Sequence, residues 1–463
     1  MKNEHFHFIG IGGAGMSGIA RIMLAQGRTV SGSDAKESVV TSQLETLGAK
    51  IFIGHSAENQ SGADCVVVSS AIAHNNPELL AARERGARIV PRAEALAFVM
   101  SGKRAVAVAG THGKTTTTSM LTVALQRAGE DPSFAIGGMI NNSGTNAHLG
   151  SGDIFVAEAD ESDGSFLAYK PLGAIITNLE LDHVDHFPSL EILMDAFEEF
   201  ILSIQSGGFL VACGDDENVR DLLARIKRTD IRIVTYGASN PKNDFQLSRI
   251  HLESGSAIAR ITHTGKVLGE LELTIPGEHN LLNATAALAV SHALGVPLTE
   301  VFTGLGEFSG ARRRFELKGT VNKIRVVDDY GHHPTEVRVT LETARRYAGT
   351  GNLYVIFQPH RYSRTQMFAR EFGSALDLAD QVYLLEVYAA SEQPIPGVSS
   401  ALISRDRDQS KFHYEPSMID VITEISAKVE AGDVVMTLGA GDVNSLGPVL
   451  LTALSERFGE SFA

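Results

Sequence analysis

The chain has 463 residues, 43% of them hydrophobic, with 45 glycines and a formal net charge of -15 at pH 7. This length and composition suit about three globular α/β domains and exclude a disordered or fibrous chain. The acidic balance argues against a nucleic-acid partner or an anionic membrane surface, no apolar run is long enough for membrane insertion, and two cysteines make no disulfide framework. Cys65 and Cys213 lie in apolar runs and read as buried thiols, and the start of the chain has no signal-peptide pattern, so a cytoplasmic location is expected.

Residues 5–11 read as an apolar strand running into Gly10-Ile11-Gly12-Gly13-Ala14-Gly15. A helical pattern follows, with Met16, Ile19, Ala20, Met23 and Leu24 on one face. The glycines satisfy G-x-G-x-x-G, and Asp34 follows a second strand over 29–32, 19 residues after Gly15. This is the spacing of a βαβ unit. Gly12, Gly13, Ala14 and Gly15 would hold a diphosphate on backbone N–H groups, with Asp34 beside a ribose or base. A nicotinamide dinucleotide and a UDP-sugar present the same diphosphate, and the motif does not separate them. Strands over 50–53, 64–68 and 88–90 and a helix over 77–85 continue the pattern. They put His55, Ser69 and Ser70 at the carboxyl edge of the sheet, where doubly wound sheets bind ligands. Residues 101–103 read as a linker.

A strand over 105–109 then turns on Gly110 and Gly113 into a helical pattern over 114–127. Gly110-Thr111-His112-Gly113-Lys114-Thr115 is a shortened phosphate loop, because the first glycine of G-x-x-x-x-G-K-[ST] would fall at Val108. The N–H groups at the start of the helix face an anion, Lys114 reaches β/γ-phosphates, and Thr115 offers a hydroxyl to Mg²⁺. A strand over 153–157 leads to Glu158-Ala159-Asp160-Glu161-Ser162-Asp163, four carboxylates in six residues. Glu158 is placed as a Mg²⁺ ligand, whereas Glu161 and Asp163 read as a solvated acidic loop. A strand over 174–177 leads to Asp182 and His183, which complete a cation site or cap a helix.

Alternating residues over 249–274 predict antiparallel strands at a sheet edge. Asn280 and Asn283 share one face of the next helix, where they either read a purine edge or hydrogen-bond the helix end. Residues 304–310 read as a flexible joint. Arg312, Arg313 and Arg314 after it either reach phosphates or form a solvated charge run. Strands over 324–327, 353–357, 380–385 and 433–438 predict a third parallel sheet. In its loops, His360, Arg361 and Arg364 are suited to clamp a small carboxylate and handle an amine proton.

Together GIGGAGMSGIA, AGTHGKTTT, EADESDGSF, NLELDHVDHF, GEHNLLNA, ARRRFE, DDYGHHPTE and QPHRYSRT, in that order, resemble the Mur ligase family over essentially the whole chain. These are ATP-dependent amino-acid ligases of peptidoglycan synthesis. The resemblance implies three α/β domains, each on a mainly parallel doubly wound sheet: Rossmann-like over 1–102, a P-loop ATPase over 103–310 and Rossmann-like over 311–463. It implies UDP-N-acetylmuramate in the first, ATP with Mg²⁺ in the second, and L-alanine in the third, which closes with it. The product would form through an acyl phosphate, with release of ADP and phosphate.

By the same resemblance, Gly110, Thr111, His112, Gly113, Lys114, Thr115 and Thr116 would hold the ATP phosphates. Thr115 and Glu158 would hold one Mg²⁺ and His183 a second. Asn280 and Asn283 would meet adenine, Arg314 the γ-phosphate and Asp329 the ribose. Tyr330, His332, His360, Arg361 and Arg364 would form the L-alanine side, and Asp34, His55, Ser69 and Ser70 would contact the UDP part. Lys114, Glu158, His183, Arg314 and His360 would be the catalytic set, with either His360 or His332 taking the amine proton.

One departure stands out. Several relatives place a carbamylated lysine after the His183 motif, but no lysine lies between Lys170 and Lys227 here. Glu198 or Glu199 is the expected substitute. Two other readings are weaker. A recycling ligase that adds a preformed tripeptide lacks the Ser162-Asp163-Gly164-Ser165-Phe166 run, and a nicotinamide-dependent oxidoreductase leaves the phosphate loop unexplained.

Overall fold

In the computed structural model, which describes residues 4–390 and 392–462, short apolar runs become the strands of three sheets. The first sheet has five parallel strands in the order Lys50–Ile53, Thr29–Asp34, His5–Ile9, Cys65–Val68 and Arg88–Pro91. The winding reverses at His5–Ile9, so a ligand crevice opens at the carboxyl end of that strand. This strand stops two residues before the expected end because Gly10 turns the backbone at φ 78°. The helix Ala14–Ala25 buries Met16, Ile19, Ala20 and Met23 as the spacing predicts, with Leu24 half-buried. Cys65 and Cys213 are buried thiols, each pushed up to about 11 by burial.

The second sheet runs Lys266–Leu273, Ala257–His263, Phe245–Leu252, Arg232–Gly237, Phe209–Cys213, Gly173–Ile176, Arg104–Ala109, Ile154–Glu158, Ser133–Ala135 and Ala147–His148. From Arg232–Gly237 to Ser133–Ala135 every neighbouring pair is parallel. Arg104–Ala109 is central, with Val106 paired to Gly173 on one side and Val156 on the other. A strand covered on both faces reads as an unbroken small apolar run, which is why Ala105 to Ala109 do not alternate.

The third sheet is ordered Glu316–Val321, Ile324–Asp329, Val434–Leu438, Leu353–Phe357, Gln381–Leu384 and Phe412–Tyr414. It is parallel except at one edge: Glu316–Val321, which the sequence reading missed, pairs antiparallel with Ile324–Asp329.

Two compact units emerge. One takes in the chain up to Arg249 with Ala259–Leu271 and Leu281–Phe308, and the other Ile250–Ile258, Glu272–Asn280 and the chain from Ser309. The linker expected at 101–103 therefore separates two sheets inside one unit. The joint expected over 304–310 holds only in its second half, because its first three residues belong to a helix. Leu298–Gly306 is a helix that packs on Lys114–Arg127, and a Cβ on Gly304 would lie 2.9 Å from the Cα of Ala124. Gly304 is there for close helix approach, and the division between the units falls after Phe308.

Candidate active site

The phosphate loop is shaped by its glycines and propped by the neighbouring strand end. Gly110 has φ 129°, and a Cβ there would lie 2.1 Å from Thr177 Oγ1. Gly113 caps the helix Lys114–Arg127 at φ 82°, and a Cβ there would meet Asn283 Oδ1 at 2.8 Å. Any other residue would be strained at both positions. Thr111 N–H donates to the Asn178 carbonyl, His112 N–H to Asn178 Oδ1, and Thr111 Oγ1 to the Glu180 carbonyl. The His112 ring lies 3.1 Å from Glu180 Oε2. Thr115 and Thr116 open the helix, both buried. The loop geometry is thus fixed before any phosphate arrives.

Beside it, Thr115 Oγ1 donates to Glu158 Oε1 at 3.0 Å, and Gly137 N–H donates to Glu158 Oε2 at 2.8 Å. A hydroxyl and a carboxylate in contact suit a hard divalent cation, which takes oxygen ligands. Glu161 overturns the expectation of a solvated acidic loop. It is 1% exposed and accepts a hydrogen bond from Lys114 Nζ at 2.8 Å. Burial pushes Glu161 up to about 7, although Lys114 pulls the other way. Burial would lower Lys114, but Glu161, Asp160 and Glu158 outweigh it and keep the ammonium charged.

His183 sits in the left-handed region at φ 52°, with Nε2 3.9 Å from Glu161 Oε1 and 3.8 Å from Asp182 Oδ2. Asp182 Oδ1 accepts the His183 N–H at 2.7 Å. The helix of Glu198 and Glu199, Leu190–Leu202, leaves Glu199 exposed, and Glu198 acts on Arg225 together with Glu191 and Asp195. The buried carboxylate next to Lys114 and His183 is Glu161.

A cavity of about 690 Å³ joins this region to the first glycine loop. It is lined by Gly12, Gly13, Ala14, Gly15, Asp34 and Ser69 from the first sheet's side, and by Gly137, Glu158 and Asp160 from the second. Asp34 Oδ2 accepts the Gly12 N–H at 2.9 Å. Arg92 also lines the cavity, 3.8 Å from Asp160 Oδ2 and close enough to Gly15 that a Cβ there would meet its Nη1 at 3.0 Å. The sequence reading missed Arg92, a lone arginine far along the chain from either loop. Ser70 Oγ donates to Asp163 Oδ2 at 3.3 Å, so it spans the same two loops.

His55 does not join the residues that line the cavity. Its Nδ1 lies 2.9 Å from Glu78 Oε1, and Glu78 is fully buried with His7 2.6 Å from its other oxygen. Asn280 is buried, and its Nδ2 donates to the Pro276 carbonyl at 2.7 Å, the helix-end bond rather than an open amide. Asn283 is buried against the phosphate loop.

In the second unit, the ends of Ile324–Asp329 and Leu353–Phe357 gather the remaining candidates. Asp329 Oδ1 accepts from Gly331 N–H and Thr340 Oγ1, and its Oδ2 from Phe315 N–H, so the carboxyl closes its own loop. Burial raises it to about 6, with Arg314 opposing. The guanidinium groups of Arg313 and Arg314 lie 4.8 Å and 5.3 Å from the Tyr330 ring centroid, and Arg314 is 4.0 Å from Glu336. His332 Nδ1 lies 3.1 Å from the Tyr330 carbonyl and 3.5 Å from Glu336 Oε2. The His360 ring is 5.7 Å from that of His332 and stacks on Tyr388 at 11°. Arg364 donates to His360 Nδ1 at 3.4 Å, and Arg361, at φ 72°, pairs with Glu392 at 2.8 Å. Glu336, Tyr388 and Glu392 carried no sequence signal of their own, because only the fold brings them to this cluster.

Known proteins share this arrangement along the whole chain. The family model described as "Mur ligase family, catalytic domain" matches residues 5–104, "Mur ligase middle domain" residues 108–291, and "Mur ligase, glutamate ligase domain" residues 313–441. A UDP-N-acetylmuramate–L-alanine ligase from Renibacterium salmoninarum is 52% identical over 449 residues, covering 97% of this chain and 96% of the relative. Another from Acidothermus cellulolyticus is 50% identical over 455 residues, covering 98% and 95%. Among solved structures, a UDP-N-acetylmuramate–alanine ligase from Thermotoga maritima has a TM-score of 0.81 at 32% identity, covering 98% of this chain and 99% of that one. A murein peptide ligase from Psychrobacter arcticus has a TM-score of 0.72 at 27% identity, covering 97% and 98%. The chain belongs to the Mur ligase family.

Proposed function

We propose that this chain joins L-alanine to the lactyl carboxylate of UDP-N-acetylmuramate, with ATP as phosphoryl donor, in peptidoglycan precursor synthesis. The shared cavity carries the reading. A nucleotide sugar with its diphosphate on the loop Gly12–Gly15 has room to extend a carboxylate toward Glu158, which touches Thr115 of the phosphate loop. The relatives named for L-alanine, at 52% and 50% identity, support the amino acid. On this reading residues 1–102 hold the sugar nucleotide, 103–310 ATP and 311–463 the amino acid. None of the described helices is long and apolar enough to cross a membrane, and the reaction is assigned to the cytoplasm, where its soluble substrates meet.

The lactyl carboxylate oxygen attacks the γ-phosphorus, ADP leaves, and an acyl phosphate forms. Lys114 offsets the charge of the two anions as they approach, a role the family resemblance also gives to Arg314. Thr115 with Glu158 would hold one Mg²⁺ and His183 a second, and the ions would supply further charge stabilisation at the phosphates. Arg92 and the loop Gly12–Gly15 hold the sugar diphosphate, with Asp34 and Ser69 beside it, and Asn283, buried against Gly113, would meet adenine. The amine of L-alanine next attacks the acyl carbon and phosphate leaves.

Hydrogen bonding supports one assignment of the base. Arginine only donates, so the lone pair on His360 Nδ1 faces Arg364 and the neutral ring carries its proton on Nε2. His332 is opposite: its Nδ1–H donates to the Tyr330 carbonyl, which leaves the Nε2 lone pair as proton acceptor, and Glu336 steadies the imidazolium. His332 takes the amine proton, while His360, Arg361, Arg364 and Tyr330 position the amino acid.

Phosphate release with UDP-N-acetylmuramate, ATP and each amino acid in turn tests this. L-alanine should give the highest kcat/KM. Preference for glycine or L-serine would overturn the amino-acid assignment, and turnover with a preformed tripeptide in its place would favour the recycling reaction.

A further inference from the structure

Lys114 is fully engaged by the protein itself. An ammonium group has three protons, and Nζ donates to the Gly110 carbonyl at 2.7 Å, the Thr111 carbonyl at 3.1 Å and Glu161 Oε1 at 2.8 Å. A phosphate oxygen reaches this lysine only by displacing one of the three acceptors. The two carbonyls belong to the loop, whose backbone is pinned to Thr177, Asn178 and Glu180. Glu161 is the movable one, an acidic side chain in the place of an anion.

Its other oxygen supports this. Among the described residues, Glu161 Oε2 is buried without a hydrogen-bond partner, which is costly for a carboxylate at 1% exposure. Glu158 does a different job, since both its oxygens are engaged by Thr115 and Gly137.

We propose that Glu161 is an exchange partner for the nucleotide: it holds Lys114 when the loop is empty and gives the lysine up to the entering phosphate. The exchange rests on the reading of this loop as a nucleotide site. It makes Glu161 a positioning residue that acts through Lys114, with two effects. It keeps a half-buried lysine paired and in place before binding, and it sets nucleotide affinity below what the loop alone would give, since every phosphate must first displace a charge-assisted hydrogen bond. The released carboxylate stays next to His183 Nε2, 3.9 Å away, so it has a cationic or metal-bound neighbour to turn to.

ADP binding to the full chain, measured by calorimetry without the sugar nucleotide, tests the exchange. Glu161→Gln keeps size and one acceptor but removes the charge, and should tighten ADP about tenfold, the change expected for losing about 1.4 kcal/mol of competition. In a Lys114→Met background the same substitution should change ADP affinity less than about twofold, because the competition acts only through the lysine. Glu161→Asp, whose shorter side chain cannot span the 2.8 Å contact, should also tighten ADP and serves if the glutamine variant does not fold. Unchanged or weaker ADP binding in the Glu161 variants, or a gain that persists without Lys114, overturns the exchange. Absence of any ADP binding to the unsubstituted chain overturns the nucleotide reading and the exchange with it.

Discussion

Two strand-end loops handle charge in contrasting ways. In the first unit the key cation, Lys114, is matched acceptor for acceptor by two carbonyls and a buried carboxylate. In the second, Arg313 is engaged as well, its Nε donating to Asp328 Oδ2 at 3.3 Å and its Nη2 to the Gly439 carbonyl at 2.6 Å, while Arg314 lies 5.3 Å from the Tyr330 ring centroid and 4.0 Å from Glu336. A ring face attracts a guanidinium through its quadrupole and does not use up the planar fork of N–H donors. On the proposed exchange, Lys114 would bind its ligand by trading one acceptor for another, while Arg314 could bind by addition. One arrangement would keep a strong charge quiet until a phosphate replaces its partner. The other presents charge that is already oriented.

The comparison can be broken most severely at the lysine. Lys114→Ala should reduce ADP release with both co-substrates present by at least about a thousandfold; near-normal turnover would remove the phosphate loop from the reaction. On the other side, His332→Ala should lower kcat about a hundredfold with little change in the KM for L-alanine. His360→Ala should instead raise that KM, and the reverse pattern would exchange their roles. Asp329 offers a pH test of how rigidly the second loop is closed. Its carboxyl is raised from its ordinary value of 3.8 to about 6, so the fold favours the protonated form. The stabilisation it gives is complete below about pH 4 and is lost as pH rises through 6. Relative to the natural chain, Asp329→Asn should gain up to about 3 kcal/mol of stability between pH 4 and 7 in denaturant titrations. A flat difference would mean that the three hydrogen bonds, not burial, govern this group. The smallest effect is expected from Glu198→Ala and Glu199→Ala. Turnover at limiting Mg²⁺ should stay within about twofold of the natural chain, because their helix carries them toward Arg225 and solvent.

Most strands and both glycine loops were legible because they depend on local rules. A buried parallel strand is a short apolar run, and a loop that presents N–H groups to an anion needs glycine where φ is positive, as at Gly110 and Gly113. The readings that failed concern burial. Glu161 stands in a run of four carboxylates that looks solvated, yet it is covered and paired with Lys114, 47 residues away. Gly304 looks like part of a hinge, but a helix forms there because its neighbours pack on Lys114–Arg127. Arg92 has no motif around it and reaches the cavity only because its helix starts beside Gly15.

The sequence by itself determined the order of the loops, the residue types proposed to meet phosphate, and the family, since these follow from spacing along one backbone. Only the tertiary structure decided which charge answers which. The engagement of Lys114 by Glu161, the turning of His55 toward Glu78 and the meeting of the His332 and His360 rings arise from contacts between segments far apart in the chain. Local spacing constrains backbone geometry, but burial and hydrogen-bond partners are set by the segments that pack across it.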